Sequence, residues 1–522
     1  MKTIIERYDK VWLCGLFLFF AVICLSSVWK DSLTYDESYH VQFGLKTLSG
    51  DLDHASLQKM PITALNALPI VAVKKSGISI SEQTLIWFCR IPTIIFGVLL
   101  GIFIFRWSRE LYGVRGGLFS LFLYVFCPNV VAHARLATTD VYCCFFIFIS
   151  IYAFRKYARS QTSANLILLS VAVGMAQLSK QTALLLFPIL LGLGMVETFR
   201  RSASLHFHLK RRLLSHFLFF VFVVILIINL GYFFNGSFRS LRDYREWFQQ
   251  QSPDVAATFP PARDGMIAAS LDRVPIPLPI AYVEALVLGK YINATGEGHG
   301  TIYLLGELSQ YGYWDYFLVA FFLKTPLPTI AFLVVAIWMA VKSRQFPVAS
   351  DETALLVTSG IIFFFFSFCT TAQIGIRYIL PMYPFLYVFL GKIVSQGMTR
   401  LKICIVAGLS IYLVVSFASY YPHYISYFNE LCWDRTKLYK YLADSNLDWG
   451  QDNNYLVEYL ELHRGEDIHV NPLQPMSGKI IVNVNNLVGV IQDASTYEWL
   501  RDNYEPVDRV AYSWLCYEIP DK

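Results

Sequence analysis

Runs of predominantly apolar residues alternate with polar segments along the whole chain, and this alternation predicts a series of membrane helices. The eleven runs lie near residues 11–29, 84–105, 116–127, 141–154, 164–178, 182–197, 214–234, 326–341, 353–370, 378–395 and 403–420. A helix needs about 20 residues to cross a membrane, and the run at 116–127 reaches that length only if its helix begins earlier, near Tyr112. The pattern therefore predicts an α-helical multi-pass membrane protein with eleven transmembrane helices.

Basic residues concentrate in every second polar segment and thereby orient the predicted helices. They follow the second, fourth, sixth and eighth runs, lie between the last two, and precede the first run at Arg7 and Lys10. Because Lys and Arg accumulate in cytoplasmic loops, the N-terminus is predicted in the cytoplasm and the C-terminus outside. The first run, Val11–Trp29, lacks a clear small-residue cleavage site, so we expect a retained helix rather than a signal peptide.

The remaining polar segments lie on the extracytoplasmic side in this topology. They are the loop 30–80, the link 128–140, the loop 235–325 and the tail 421–522. In the first loop, the proline-containing stretch 61–75 is shorter than a span and is predicted to lie in the membrane interface. The tail contains strand-forming, helix-forming and strand-forming stretches in that order. We therefore expect two domains, a transmembrane domain over 1–420 and a small extracytoplasmic α/β domain over 421–522.

Composition agrees with a membrane protein and excludes some partners. Of the 522 residues, 55% are hydrophobic and 16% are charged, and the mean hydropathy is +0.46. Soluble chains carry about 25% charged residues. The net charge of +5 is small and unevenly spread, which favours a role in membrane orientation over nucleic-acid binding. Most of the ten cysteines lie in apolar runs; Cys432 and Cys516 do not, and the sequence leaves open whether they pair.

Acidic residues gather at the extracytoplasmic ends of two predicted helices. Asp36 and Glu37 stand side by side just after the first run, followed by His40, and Asp140 precedes the fourth run. Any one of these acids alone is as readily explained by an ordinary solvated loop. Three acids on one face of a membrane protein are harder to explain in that way, because acids at membrane depth are usually functional or paired.

Three cations lie on the same predicted face. Lys180, Lys324 and Arg377 each come just before an apolar run that enters the membrane from outside. Unpaired N–H groups and the helix dipole at such N-termini favour anions. For a single cation, anchoring of the helix end by a snorkelling side chain is the simpler interpretation. Because basic residues are normally disfavoured on this side, three together predict a phosphate or pyrophosphate site.

Carboxylates beside a phosphate site at the outer leaflet suit transfer of a sugar from a polyprenyl-phosphate donor. The phosphate is already a good leaving group and requires only charge neutralisation by Lys or Arg. A carboxylate acts as the general base for an acceptor hydroxyl, and direct displacement with one base inverts the anomeric configuration. The acceptor class stays open: protein, lipid or glycan.

Other functions are consistent with parts of this pattern. A lipid-linked sugar transporter or flippase would carry charges and broken helices near the middle of the membrane, whereas the charges here gather at one rim. A cell-envelope polysaccharide polymerase or ligase would share the lipid-phosphate chemistry and differ in donor size. A receptor without catalytic activity would leave the acids and cations unexplained.

Several short strings resemble one family. The strings "DESYH", "ATTD", "LSKQTALLLFP", "LKTPLP" and "RYILPMYPFL" occur in order over roughly residues 10–395. They resemble the protein O-mannosyltransferase and aminoarabinose transferase superfamily, whose members are glycosyltransferases of the GT-C fold and use polyprenyl-phosphate donors. The resemblance implies that Asp36 is the general base and that Asp140 forms a second acidic site. We predict that Glu37 and Asp140 complete the catalytic group by positioning the acceptor or the donor sugar and by adjusting the pKa of Asp36.

The tail extends the resemblance and also departs from it. The stretch Pro422–Asn454, which contains "PHYISYFNEL" and "LADSNLDWGQDNN", resembles a bacterial branch of that superfamily. This likeness implies an integral protein of a bacterial cytoplasmic membrane. Where the family pattern has glycines after "FNEL", this chain has "CWDRTK" over Cys432–Lys437, which puts the local loop shape in doubt.

The string "DSNLDWGQD" combines hydrogen-bond acceptors with an aromatic ring. Asp444, Asp448 and Gln451 surround Trp449, a combination that suits binding of a sugar or a peptide acceptor. The alternative is a turn-rich linker, because Asp, Ser, Asn and Gly favour turns. We assign these residues, with His40, to acceptor or substrate binding. No cofactor and no metal ligand set is predicted, although an acidic cluster leaves a divalent cation possible.

Overall fold

The chain folds into a helical bundle that carries a small mixed sheet near its C-terminus. The computed structural model describes residues 2–51, 60–201, 207–259, 272–298, 300–342, 351–395 and 397–521. Its helices are α1 (Lys2–Ser27), α2 (Tyr35–Ser49), α3 (Ala64–Ser76), α4 (Glu82–Val125), α5 (Pro128–Ala134), α6 (Asp140–Arg159), α7 (Ser163–Gln177), α8 (Leu186–Arg201), α9 (Phe207–Gly231), α10 (Leu241–Gln251), α11 (Pro253–Ala256), α12 (Ile280–Thr295), α13 (Tyr316–Lys324), α14 (Leu327–Lys342), α15 (Asp351–Phe368), α16 (Tyr383–Leu390), α17 (Arg400–Ala418), α18 (Asn453–Leu462), α19 (Val484–Leu487) and α20 (Glu498–Asn503).

Each predicted apolar run lies on a helical segment. Two of the runs share α4, which is interrupted at Gly113, where a φ of 77° is easily adopted only by glycine. Among the described residues, six helices are long and apolar enough to cross a membrane, or seven if the pair α13–α14, bent by 109°, is one span. Three further apolar segments, at 163–177, 181–197 and 380–394, are shorter. The chain is thus an integral membrane protein, and the number of eleven spans stays a prediction.

Ion pairs occupy the end of the bundle that the basic loops share. At the C-terminal end of α6, Arg155 contacts Glu110 at 2.5 Å and Asp351 at 2.8 Å. Lys392 contacts Glu352 at 2.7 Å at the start of α15. Asp140 begins α6, so 15 residues of helix, or roughly 22 Å, separate it from Arg155 of this network. The predicted site residues and the basic loops therefore lie at opposite ends of α6.

The tail contains the predicted strand, helix and strand together with additional elements. Its sheet has the strand order β3–β4–β6–β5, in which β3 (Ile468–Val470) runs parallel to β4 (Gly478–Asn483), and β6 (Trp514–Ile519) runs antiparallel to both β4 and β5 (Asp508–Val510). A separate hairpin of β1 (Ile302–Leu304) and β2 (Glu307–Ser309) lies in the loop 235–325. The prediction of a small α/β unit is confirmed. Cys432 and Cys516 are both buried and free.

The segment between α17 and α18 packs into the bundle. Its side chains Tyr424, Phe428, Leu447 and Trp449 belong to the same hydrophobic core as the helices. An isolated bridge also pairs Leu304 with Leu442. Residues 424–449 therefore contribute to the bundle core, and the boundary between 420 and 421 stays a prediction.

Candidate active site

Glu37 fixes the start of α2 and has no acceptor position left for a ligand. Its carboxylate accepts two hydrogen bonds from Arg90, at 2.8 and 2.7 Å, and one each from the backbone N–H groups of Ala137 and Thr34, at 2.7 and 2.8 Å. These bonds occupy about four lone-pair sites, the full capacity of a carboxylate. Burial raises the pKa of Glu37, but Arg90 outweighs it and brings the pKa below its ordinary value. The predicted catalytic role of Glu37 stays a prediction, and its contacts favour a positioning role.

Asp36 points in another direction, toward Arg377. The Asp36 carboxylate accepts a hydrogen bond from the Arg377 guanidinium at 2.6 Å. The other side of this guanidinium is covered by Trp449, whose ring centre lies 4.0 Å from Arg377 Cζ. Burial raises the pKa of Asp36, yet the Arg377 charge outweighs it and holds the pKa below its usual range. Asp36 is therefore a carboxylate at neutral pH, oriented by a cation that is itself held by an aromatic ring.

A second ion pair lies next to the first. Lys180 Nζ contacts the Asp140 carboxylate at 2.5 Å and lies 4.8 Å from the ring centre of Tyr378, the residue after Arg377. The charges of Asp140 and Asp36 both act on Arg377. Burial lowers the pKa of Lys180, but Asp140 outweighs it and raises the pKa above the ordinary value. The structure thus brings Asp36, Asp140, Lys180 and Arg377 into one cluster of alternating charge.

Two buried histidines lie beside this cluster. His40, on the same face of α2 as Asp36 because it is four residues further on, is 4% exposed, and His133 of α5 is 2% exposed. Burial lowers the pKa of both rings, that of His133 to about 3, so both are neutral at pH 7. His133 was not predicted; its position seven residues before Asp140, in "AHARLATTD", is the only sequence signal for it.

Lys324 has a different environment from Lys180 and Arg377. Its ammonium group donates hydrogen bonds to the backbone carbonyls of Ile425, at 2.7 Å, and Asn446. The Asn129 and Asn429 amides donate to the carbonyls of Lys324 and Thr325, at 2.7 and 2.8 Å, where α13 bends into α14. As a phosphate ligand Lys324 stays a prediction, and these contacts show that it joins the helix bend to the tail.

The predicted tail residues divide into two groups. Asp448 accepts hydrogen bonds from the Asn483 and Asn485 side chains at 2.8 and 3.1 Å, and the Gln451 amide contacts Ser513 at 3.1 Å. These two side chains therefore bind the tail sheet. Trp449 instead faces the cluster through Arg377, and its ring centre is 6.0 Å from that of His133.

Asp444 also lies toward the cluster and is held in an unusual backbone conformation. Its φ of 53° falls in the left-handed region, which costs a residue other than glycine about 1–3 kcal/mol. Burial raises the pKa of Asp444 to about 7, although the Arg377 charge acts in the opposite direction. A half-buried carboxyl that changes charge near neutral pH thus adjoins Arg377.

Arg90 and the pair Asp31–Arg135 are further residues that the sequence did not single out. Arg135 Nη2 lies 3.0 Å from the Asp31 carboxylate, and both side chains are buried. Burial raises the pKa of Asp31 to about 6, with Arg135 acting against it. The sequence signal for Arg90 was its position inside an apolar run. A buried cation requires an anionic partner, so this position predicts a buried ion pair.

The described part of the chain contains no group of three or more His, Cys, Asp or Glu side chains that could hold a metal ion. In the cluster, the Asp140 carboxylate pairs with Lys180 and the Asp36 carboxylate pairs with Arg377. That the protein needs no metal stays a prediction.

Comparisons with known proteins find a similar family over part of the sequence. Residues 73–228 match the family described as dolichyl-phosphate-mannose-protein mannosyltransferase, a segment that includes Arg90, His133, Asp140 and Lys180. No curated protein matches the chain.

Solved structures are similar to this chain, and the first of the two described here shows the fold. The crystal structure of ArnT from Cupriavidus metallidurans bound to undecaprenyl phosphate is 14% identical, with a TM-score of 0.51 over 97% of this chain and 98% of that one. The archaeal oligosaccharyltransferase AglB from Archaeoglobus fulgidus, in complex with an inhibitory peptide and a dolichol-phosphate, is 13% identical, with a TM-score of 0.46 over 87% of this chain and 60% of that one. The resemblance inferred from short strings is confirmed: the chain has the GT-C fold and carries, over residues 73–228, the sequence pattern of the dolichyl-phosphate-mannose-protein mannosyltransferase family.

Proposed function

We propose that the protein is an inverting glycosyltransferase that moves a sugar from a polyprenyl-phosphate donor to a hydroxyl acceptor at the extracytoplasmic face of a bacterial cytoplasmic membrane. The observation that carries the proposal is the pair of neighbouring ion pairs, Asp36–Arg377 and Asp140–Lys180, at one end of an apolar helical bundle. A carboxylate beside two cations offers a base and a site for a leaving phosphate within one cluster.

Arg377 and Lys180 are the proposed ligands of the donor phosphate. Arg377 is held between Asp36 and the Trp449 ring, and Lys180 lies over the adjoining Tyr378 ring. Charge-assisted contacts from Arg and Lys to phosphate are strong and, in a site that excludes water, stabilise the charge that develops on the leaving group.

Asp36 is the proposed general base. The acceptor oxygen forms a bond to the anomeric carbon while the bond from that carbon to the phosphate oxygen breaks, and the phosphate leaves with the electron pair. The acceptor proton passes to Asp36. A phosphate that shares Arg377 weakens the interaction that depresses the pKa of Asp36, so donor binding would make Asp36 a better base.

The tail belongs to the proposed catalytic unit. Trp449 contacts Arg377, and the carbonyl of Asn446 accepts from Lys324. We therefore propose that residues 421–452 work with the transmembrane domain 1–420, and that the α/β unit from α18 onward lies over the extracytoplasmic face.

Purified protein in lipid nanodiscs, supplied with radiolabelled undecaprenyl-phosphate sugars and short hydroxyl acceptors, tests the proposal. We expect release of undecaprenyl phosphate and label on the acceptor, both lost in Arg377→Ala. The exposed Arg464 provides the control Arg464→Ala, which should retain activity. In sealed vesicles, movement of label between leaflets without cleavage would establish a flippase instead, and growth of the lipid-linked glycan itself would establish a polymerase.

A further inference from the structure

Two neutral imidazoles flank the ion pairs and do not use their full hydrogen-bonding capacity. His40 comes from α2 and His133 from α5, and each Nδ1 atom is buried without a hydrogen-bond partner. A buried polar atom without a partner destabilises the folded protein, and most such atoms in folded proteins are paired. Two of them beside one cluster therefore indicate a missing polar partner.

The surroundings of both rings identify the cluster as the place they share. The charges that act on His40 are Asp36, Asp140, Lys180 and Arg377, and those that act on His133 are Asp140, Arg377, Lys324 and Lys180. The charges of Asp140, Lys180 and Arg377 therefore act on both rings. His133 is also one aromatic ring away from Arg377, because Trp449 contacts both.

The chemistry of a neutral imidazole selects the kind of ligand. Arg377 and Lys180 already supply the positive charge that a phosphate requires, and an uncharged ring adds little to it. A neutral imidazole has one N–H donor and one acceptor nitrogen. A sugar hydroxyl likewise donates one hydrogen bond and accepts others, so the two groups are complementary.

We propose that His40 and His133 form a subsite for hydroxyl groups of the transferred sugar, next to the phosphate ligands Arg377 and Lys180. This subsite rests on the proposed function, because it takes the sugar from a polyprenyl-phosphate donor. A sugar joined to a phosphate at Arg377 lies within a few ångströms of that phosphate, and His133 is separated from Arg377 only by the Trp449 ring.

Binding of two classes of probe separates the subsite from the phosphate site. The full-length protein in nanodiscs is titrated with undecaprenyl phosphate and with undecaprenyl-phosphate glucose, mannose, galactose and 4-amino-arabinose. The variants are His40→Phe and His133→Phe, which keep a planar ring, and His133→Asn, which keeps a hydrogen-bonding group near the Nδ1 position. The control is His463→Phe, because His463, just after α18, contacts the Tyr459 carbonyl at 2.8 Å.

We expect the wild type to bind at least one glycosylated donor about tenfold more tightly than undecaprenyl phosphate, a difference of about 1.4 kcal/mol, because two additional hydrogen bonds are proposed. Each Phe variant should lose most of that preference and bind undecaprenyl phosphate within twofold of the wild type. His133→Asn should recover part of the preference, and Arg377→Ala should weaken binding of both probes.

Two results would overturn the subsite while leaving the proposed function intact. One is an unchanged preference for the glycosylated donor in both Phe variants; the other is equal wild-type affinity for undecaprenyl phosphate and every glycosylated donor. Wild-type protein that binds none of the probes would instead overturn the proposed function, and the subsite with it. Gel filtration of each variant establishes that a loss of binding is not a loss of fold.

Discussion

The adjacent acids Asp36 and Glu37 contact different partners because successive residues of a helix point about 100° apart. Asp36 faces Arg377, and Glu37 faces Arg90. The sequence predicts that the two carboxylates diverge, but it does not contain the information that Arg90, 53 residues from Glu37, binds one of them. The family resemblance selected Asp36 as the base, and its contact with Arg377 is consistent with that choice.

Asp36→Asn should reduce the rate of sugar transfer by about 10²–10⁴, the usual cost of losing a general base. The change keeps the shape of the side chain and removes the negative charge beside Arg377, so binding of undecaprenyl phosphate should be retained or strengthened. Single-turnover transfer and donor titration measure the two effects separately. Glu458→Gln, at an exposed ion pair with Lys30, is the matched control. Transfer by Asp36→Asn at close to the wild-type rate would show that Asp36 is structural.

Asp444 should make stability depend on pH in the direction typical of a buried acid. Its pKa is about 7 in the folded protein and about 3.9 when unfolded. The folded state therefore holds the proton more tightly, and stability decreases as pH rises from about 4 through 7. Asp444→Asn cannot ionise and should lose this contribution to the pH dependence.

Thermal unfolding in detergent at pH 5 and pH 8 measures the effect. Relative to wild type, Asp444→Asn should be more stable at pH 8 than at pH 5, by up to about 2.7 kcal/mol, because only the range from pH 5 to the folded pKa of about 7 contributes. The exposed Asp467 gives the control Asp467→Asn. Equal differences between Asp444→Asn and wild type at the two pH values would show that Asp444 titrates normally.

At the scale of elements, the site depends on contact between the loop before α16 and the short helical turn at Asp444–Asn446. The Ser445 hydroxyl donates to the carbonyl of Ile374, and the Asn446 side chain accepts from the N–H of Ile376, at 3.0 Å, and donates to the Tyr316 hydroxyl, at 2.8 Å. These contacts place Arg377. Apolar runs predicted the long helices of the bundle, whereas this contact joins segments about 70 residues apart and has no periodic signal in the sequence.

Gly375→Ala tests that contact, because a Cβ atom at Gly375 would meet the Ser445 hydroxyl oxygen. The side chain of Ser445 must then move and release Ile374, which we expect to cost about 1–3 kcal/mol of stability and to weaken undecaprenyl-phosphate binding by displacing Arg377. Gly408→Ala is the control, since a Cβ there meets nothing within 4 Å. Donor affinity and thermal stability that match those of Gly408→Ala would show that the loop and the tail adjust independently.

Across the whole molecule, the separation of charges is the feature that the sequence predicted best. Of the acids and cations assigned to the extracytoplasmic face, Asp36, Asp140, Lys180 and Arg377 meet in one cluster, whereas Glu37 and Lys324 make other contacts. Arg155 and Lys392 of the basic segments form ion pairs at the other end of α6. The tail was harder to predict, because its polar string resembles a linker. Its Asp448 and Gln451 bind the tail sheet, and only contacts across the folded molecule show that Trp449 holds Arg377.

The catalytic proposal depends on the orientation of the protein in the membrane, with the cluster on the extracytoplasmic side. Reporters fused after Arg159 and after Lys342, at the ends of α6 and α14, should behave as cytoplasmic: fluorescent when the reporter is a fluorescent protein and inactive when it is alkaline phosphatase. A fusion after the last residue should show the reverse. The physical reason is the excess of Lys and Arg that follows the apolar runs of these two helices. Phosphatase activity at Arg159 would place Asp36, Asp140 and Arg377 in the cytoplasm, where nucleotide sugars are available, and would remove the main reason for a lipid-linked donor.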